Sequence, residues 1–173
     1  MRFRNIVLTA LCSALLASSQ LTREADKARI VRETRHEILT LPYFGVFDNI
    51  EFRVDGEVVT LLGQVVRPTL KTEAEAVVKS IEGVEKVVNQ LEVLPLSPND
   101  DRLRLALYRA IYGFSPLQRY ALPVIKPIRI IVKNGNVTLE GFVSNEGDRN
   151  MVKIRANGVR GVFSVTNNLR LDK

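Results

Sequence analysis

One cysteine and one histidine are all that this 173-residue chain holds of those two types. A lone cysteine excludes an intramolecular disulfide, and the pair is too few to build a Cys/His metal site. Other chemistry-bearing patterns are missing too. "VDGE" (Val54–Glu57) and "NGN" (Asn134–Asn136) lack the carboxylate spacing of an EF-hand and read as turns. "SNEGDRN" has one glycine and no following Lys-Ser/Thr, so it is not a phosphate-cradling loop. On a helical projection His36 falls among Arg29, Arg32 and Glu33, away from the apolar stripe, with no serine or cysteine nucleophile motif near it. No enzyme, cofactor or metal is expected from this inventory.

The apolar run Ile6–Ala17 is too short to span a bilayer comfortably. It follows Arg2 and Arg4 and ends in small residues, with Ala17 and Ser19 placed before a cut at Gln20. Residues 1–19 therefore read as a secretory signal peptide, which predicts a periplasmic protein, with membrane association left as an open alternative to a free one. A buried N-terminal helix, an uncleaved anchor and a lipid-modified Cys12 are the alternatives. Against lipidation stands Leu11, bulky where such sites want a small residue.

Charge is distributed unevenly. From Gln20 to Pro95 there are ten Lys/Arg against thirteen Asp/Glu; from Leu96 to Lys173 there are thirteen against six. The total of +6 thus combines a mildly acidic first half with a basic second half. Basic surfaces attract anionic lipid or nucleic acid, and export leaves nucleic acid out.

What the chain does have is a repeat. Val54–Val93 laid on Val132–Leu171 without gaps gives eleven identities in forty positions. They include "VTL" at Val59–Leu61 and Val137–Leu139, and the pairs Gly63/Gly141, Gly83/Gly161, Asn89/Asn167 and Leu91/Leu169. Shared alternation and two fixed glycines mark a duplicated supersecondary unit. "PLSPND" (Pro95–Asp100) divides the copies, giving a domain over 20–95 and a second over 96–173.

Each copy reads helix, strand, strand, helix, strand. In the first, 23–41 has apolar Ala28, Val31, Ile38 and Leu41 at helical spacing and stops at Pro42. Ile50–Val54 and Val58–Val66 flank a hairpin turn; Thr69–Ile81 favours helix with Thr69 or Thr72 as N-cap; Val84–Val93 alternates as one closing strand. In the second, Asn99 or Asp100 can cap the first helix, and Asp148–Asn157 is the second helix. Gly83 and Gly161 sit where a left-handed helix end is expected, and Gly63 and Gly141 at the end of the long strand, where glycine permits a sharp exit or a bulge. The fold class is α+β: two tandem α-β-β-α-β domains, each a small mixed sheet with two helices packed on it.

The element order, the "VTLxGxV" strand, and the endings "GVEKVVNQLEV" (Gly83–Val93) and "GVFSVTNNLRL" (Gly161–Leu171) resemble the BON domain of bacterial envelope and osmotic-stress proteins, over roughly residues 23–171. One stretch departs from it. "GFSPLQRYALPVIKP" (Gly113–Pro127) carries three prolines and is unlike an ordinary short connection. The resemblance implies phospholipid binding at a membrane surface, such as the outer membrane, and support of envelope integrity or stress tolerance. A protein-interaction or scaffolding module of an envelope complex is the rival, with envelope proteins as partners.

For the lipid contact the sequence offers the second copy's first helix. Leu103, Ala106, Leu107, Ala110, Ile111 and Phe114 form one apolar stripe facing the domain's own sheet. Leu105, Tyr108 and Tyr112 form a second stripe on nearly the opposite side, flanked by Arg102, Arg104 and Arg109. Those six residues are the expected lipid-binding set, with anionic phospholipid as partner. Docking of the stripe against the first domain or the proline-rich loop, or against another protein, competes with that expectation.

Overall fold

Residues 23–40 form α1, which stops just before Pro42, whose ring cannot continue a helix. The computed structural model describes residues 23–172; the expected signal peptide, Cys12 and the cut at Gln20 lie outside the described residues. The inward ridge of α1 is Ile30, Thr34, Ile38 and, past its end, Leu41. Spacing by four keeps those side chains stacked on one face. Ala28, expected inside, is exposed, and Val31 is half-buried.

The strands β1 (Asn49–Asp55) and β2 (Val58–Val65) pair antiparallel across a two-residue turn in which Gly56 has φ +58°. The helix α2 (Pro68–Lys79) begins on Pro68, pre-set at the first helical position, and neither Thr69 nor Thr72 caps it. Thr72 instead points its hydroxyl back to the Pro68 carbonyl.

The closing segment is two short strands, β3 (Lys86–Asn89) and β4 (Glu92–Val93), both parallel to β2. The expected continuous strand is broken because Asn89 takes charge of the gap. Its Oδ1 accepts from the Leu91 N–H at 3.1 Å, and its Nδ2 donates to the Lys71 carbonyl of α2 at 2.8 Å. Leu91 is thereby turned into the core, where it is 1% exposed.

The second unit repeats the pattern with α3 (Pro98–Tyr112), β5 (Ile128–Lys133), β6 (Asn136–Val143), α4 (Glu146–Asn157), β7 (Ser164–Asn167) and β8 (Arg170–Leu171). Asn167 does what Asn89 does, donating to Arg149 O and accepting from Leu169 N–H. The cap of α3 is Ser97, which accepts from the Asp100 N–H, not Asn99 or Asp100. Asp100 is committed elsewhere: its carboxylate accepts from the N–H groups of Asn134 and Gly135 at 2.7 and 2.9 Å. That fixes the β5–β6 hairpin, whose two central residues both have positive φ, the pattern of a type I′ turn.

The four repeat glycines all have positive φ, for two reasons. Gly83 and Gly161 lie beyond the helix ends, which are closed by Ser80 and Gly158. Each is the third residue of a turn in which Val84 N–H reaches Ile81 O and Val162 N–H reaches Val159 O. They are turn residues, not the helix-ending caps expected. Gly63 and Gly141 lie inside β2 and β6, not at a strand exit. A Cβ there would overlap the carbonyl oxygen of Asn49 in β1 or of Pro127, the residue just before β5.

Each unit has its own core under its own sheet. The result is α+β in two repeated domains.

Candidate functional site

The sequence-expected lipid face of α3 divides in the folded chain. Leu105 is 52% exposed, and Arg102 and Arg109 are exposed beside it. Arg104, Tyr108 and Tyr112 are four residues apart and share a ridge that turns inward. Tyr112 is buried and donates its hydroxyl to Ile128 O at 2.6 Å. Burial raises its pKa. Arg104 is also buried, donating to Val132 O at 2.8 Å and to Asp101 at 2.5 Å. Half-buried Tyr108 lies 4.9 Å from the Tyr112 ring and meets Phe47 edge-on at 6.4 Å. The expectation of one outward stripe is thus corrected: its tyrosines and Arg104 are packed.

What covers them is the first domain's α1–β1 connection, residues 41–48. Val46 and Phe47 pack onto the second domain's core. The Val46 carbonyl accepts from Ile130 N–H at 2.9 Å, so the connection adds a rung to the free edge of β5. Arg129 reaches across to donate to Gly45 O at 2.8 Å, its guanidinium 4.5 Å from the Phe44 ring centre. Asp48 holds the connection in shape by accepting from Gly45 N–H at 2.9 Å and Val66 N–H at 2.8 Å. Burial raises the Asp48 pKa against the opposing pull of those N–H groups and of Arg129. Burial likewise lowers that of Arg129, opposed by Tyr112 and Asp48.

Beside this clasp the two domains leave a cleft of about 580 Å³. Its lining brings together six cations: Lys27 and Arg35 of α1, Arg53 of β1, and Lys126, Arg129 and Arg170 of the second domain. Glu51 is the sole carboxylate among the lining residues. Ile125, Pro127 and Phe142 also line it, and the Arg170 guanidinium lies 4.9 Å from the Phe142 ring centre.

The proline-rich stretch leads into that cleft. Ser115–Ala121 is a 3-10 helix pinned by buried Leu117 and Tyr120. The Tyr120 hydroxyl donates to Asp148 at 2.5 Å and accepts from Ser144 N–H at 2.8 Å, while Arg119 pairs with the same carboxylate. Burial pushes the Tyr120 pKa up, but the bonds from Ser144 and Arg119 outweigh it and the net shift is downward. From this fixed base, Leu122 (83% exposed), Val124 (97%) and Ile125 project into solvent. Three aliphatic side chains on an anchored loop, followed at once by Lys126, make an apolar tip beside a cationic cleft.

Sequence reasoning flagged this stretch by its prolines but did not see the tip or the cleft. "LPVIKP" has no period to show a face, and the first domain's cations are hidden within an acidic total. His36 is exposed, as its helical position suggested. Among the described residues, no group of three or more His, Cys, Asp or Glu is placed to hold a metal ion, and no helix is long and apolar enough to cross a membrane.

No curated protein matches the chain in sequence. Among solved structures, the C-terminal domain of CdsD, the structural protein of the Type III secretion system of Chlamydia trachomatis, is 15% identical. The match covers 83% of this chain and 98% of that one at a TM-score of 0.30. A second CdsD structure gives the same identity and score, with 83% and 92% covered. Likeness at that score carries no functional argument. The family model of the BON domain matches residues 20–95 and 120–173, passing over α3. Two matched regions covering most of the sequence, on two repeats of one element order, make this chain a member of the BON domain family.

Proposed function

We propose that this chain is a non-enzymatic periplasmic envelope protein that binds the surface of anionic phospholipid through its second domain, supporting envelope integrity or stress tolerance. Family membership supports the envelope role. The periplasmic location rests on the charged, apolar and small-residue layout of residues 1–19.

One observation carries the lipid reading: the anchored, exposed Leu122–Ile125 tip beside Lys126 and the cationic cleft. Burying an aliphatic side chain of that size contributes about 1.5–3 kcal/mol when complete. A Lys or Arg near an anionic surface adds roughly 1 kcal/mol, and this part is screened by salt. Apolar insertion and charge attraction therefore act at one place. The contact moves from α3 to the loop that follows it, with Leu105, Arg102 and Arg109 left as outlying support.

Co-sedimentation with phosphatidylglycerol vesicles and with neutral phosphatidylcholine vesicles tests this. The native chain is expected to pellet with the anionic vesicles. A Val124→Asp, Ile125→Asp double variant is expected to lose at least about tenfold in affinity with its melting temperature unchanged. Equal recovery of native and variant chains, or no recovery of the native chain, defeats the reading and favours a protein partner for the same tip.

A further inference from the structure

The first domain, acidic in total, presents cations to the cleft. Lys27 and Arg35 stand two turns apart on one face of α1, and Arg53 comes from β1. Facing them are Lys126, Arg129 and Arg170. The single carboxylate is already used, since Glu51 pairs with Arg170 at 3.3 Å. Arg129 belongs to the clasp, and Lys126 Nζ donates to Pro123 O at 2.7 Å. Among the described residues, Lys27, Arg35 and Arg53 enter no ion pair.

Like charges converging on a concave space repel one another, and low-dielectric walls strengthen the repulsion. An anion with several oxygens relieves it, and guanidinium forks match the geometry of a phosphate. The volume suits a small ligand. Ile125 and Phe142 add apolar surface to the lining, so a ligand with an apolar end next to its charge is accommodated.

We propose that this cleft is a binding site, built by both domains, for a phosphodiester anion of the kind carried by acidic lipid headgroups. The lipid as source rests on the reading given under Proposed function; a soluble glycerophosphodiester offers the same charged group. Residues of the first domain thereby enter the contact, where the sequence alone had assigned it to the second.

The test titrates the full chain with sn-glycero-3-phosphoglycerol, the deacylated phosphatidylglycerol headgroup, and separately with dihexanoyl phosphatidylglycerol below its micelle concentration, following backbone amides by NMR. Shifts centred on Arg35, Arg53, Phe142 and Arg170 are expected. In parallel, an Arg35→Gln, Arg53→Gln variant is expected to bind phosphatidylglycerol vesicles about thirtyfold more weakly. Absence of amide shifts with both soluble probes overturns the cleft. So does full vesicle affinity in this variant while Val124→Asp, Ile125→Asp loses it, and the lipid-surface reading then stands alone. A chain that takes up both soluble probes but ignores vesicles supports the cleft for a free phosphate ester and removes the lipid source. Should the double variant unfold, Lys27→Gln on the exposed side of α1 replaces it, with about a fivefold loss expected.

Discussion

Gly63 and Gly83 look alike in sequence, each identical in both copies, yet their substitution has different expected costs. At Gly83 an added Cβ would sit 3.2 Å from the end of the flexible Arg29 side chain, so the strain is mainly that of a positive φ. Gly83→Ala is expected to cost about 1 kcal/mol. At Gly63 the neighbour is the backbone carbonyl of Asn49, which cannot give way without breaking the β1–β2 ladder. Gly63→Ala is expected to cost more than about 3 kcal/mol. Urea unfolding of the two variants checks the order, and equal costs would contradict it. The repeat made these positions legible. It did not say whether turn geometry or a close backbone approach required glycine, because both leave the same letter. Asp48 was not legible, since nothing local marks it for burial. Its folded pKa is raised above its ordinary 3.8, so the fold favours the protonated carboxyl. The stability this contributes is fully present below pH 3.8 and is lost as pH rises through the raised value. Relative to Asp48→Asn, which does not titrate, the native chain is expected to lose unfolding free energy on going upward from about pH 3.8; a difference independent of pH would count against this.

At the scale of elements, periodicity placed the helices and hairpins well, because a buried stripe or an alternating strand leaves a period. It failed where a partner outside the element decides. The closing strand looked continuous from its alternation, and only the side-chain bonds of Asn89 and Asn167 explain its break. The second face of α3 carried two tyrosines and flanking arginines, a pattern that suits a membrane surface or a cover equally. Phe47 is that cover, and it lies more than fifty residues upstream of the helix in the sequence. Phe47→Ala is therefore expected to destabilise the chain by about 1–3 kcal/mol. It is also expected to expose Tyr108 to solvent, read as a shift in tyrosine fluorescence quenching. A variant as stable as the native chain would mean that the ring contact contributes nothing.

For the whole molecule, charge totals proved a poor guide to charge placement. The first domain's net −3 conceals the three cations it turns toward the cleft. The duplication predicted two units with two cores, which is what the chain builds. It did not predict that one unit supplies Val46 and Phe47 to the other, because the two copies do not align over that connection. Residues 96–173 expressed alone are accordingly expected to melt at a lower temperature than the full chain. Adding a synthetic peptide of residues 41–48 at high concentration is expected to raise that temperature; no response to the peptide would argue that the clasp is passive.

The clasp also sets an order of manufacture. Gly45 and Arg129 are 84 residues apart, so a chain that emerges N-terminus first presents Phe44, Val46 and Phe47 well before the strand edge that receives them exists. During that interval the first domain carries an uncovered aromatic segment on its surface. A finished neighbour whose own clasp has opened offers the same β5 edge, and the waiting segment fits it as well as its own. Exchange of clasps between chains would join two molecules through contacts each already makes internally, so refolding at high concentration is expected to raise a domain-swapped dimer fraction, read by size-exclusion chromatography.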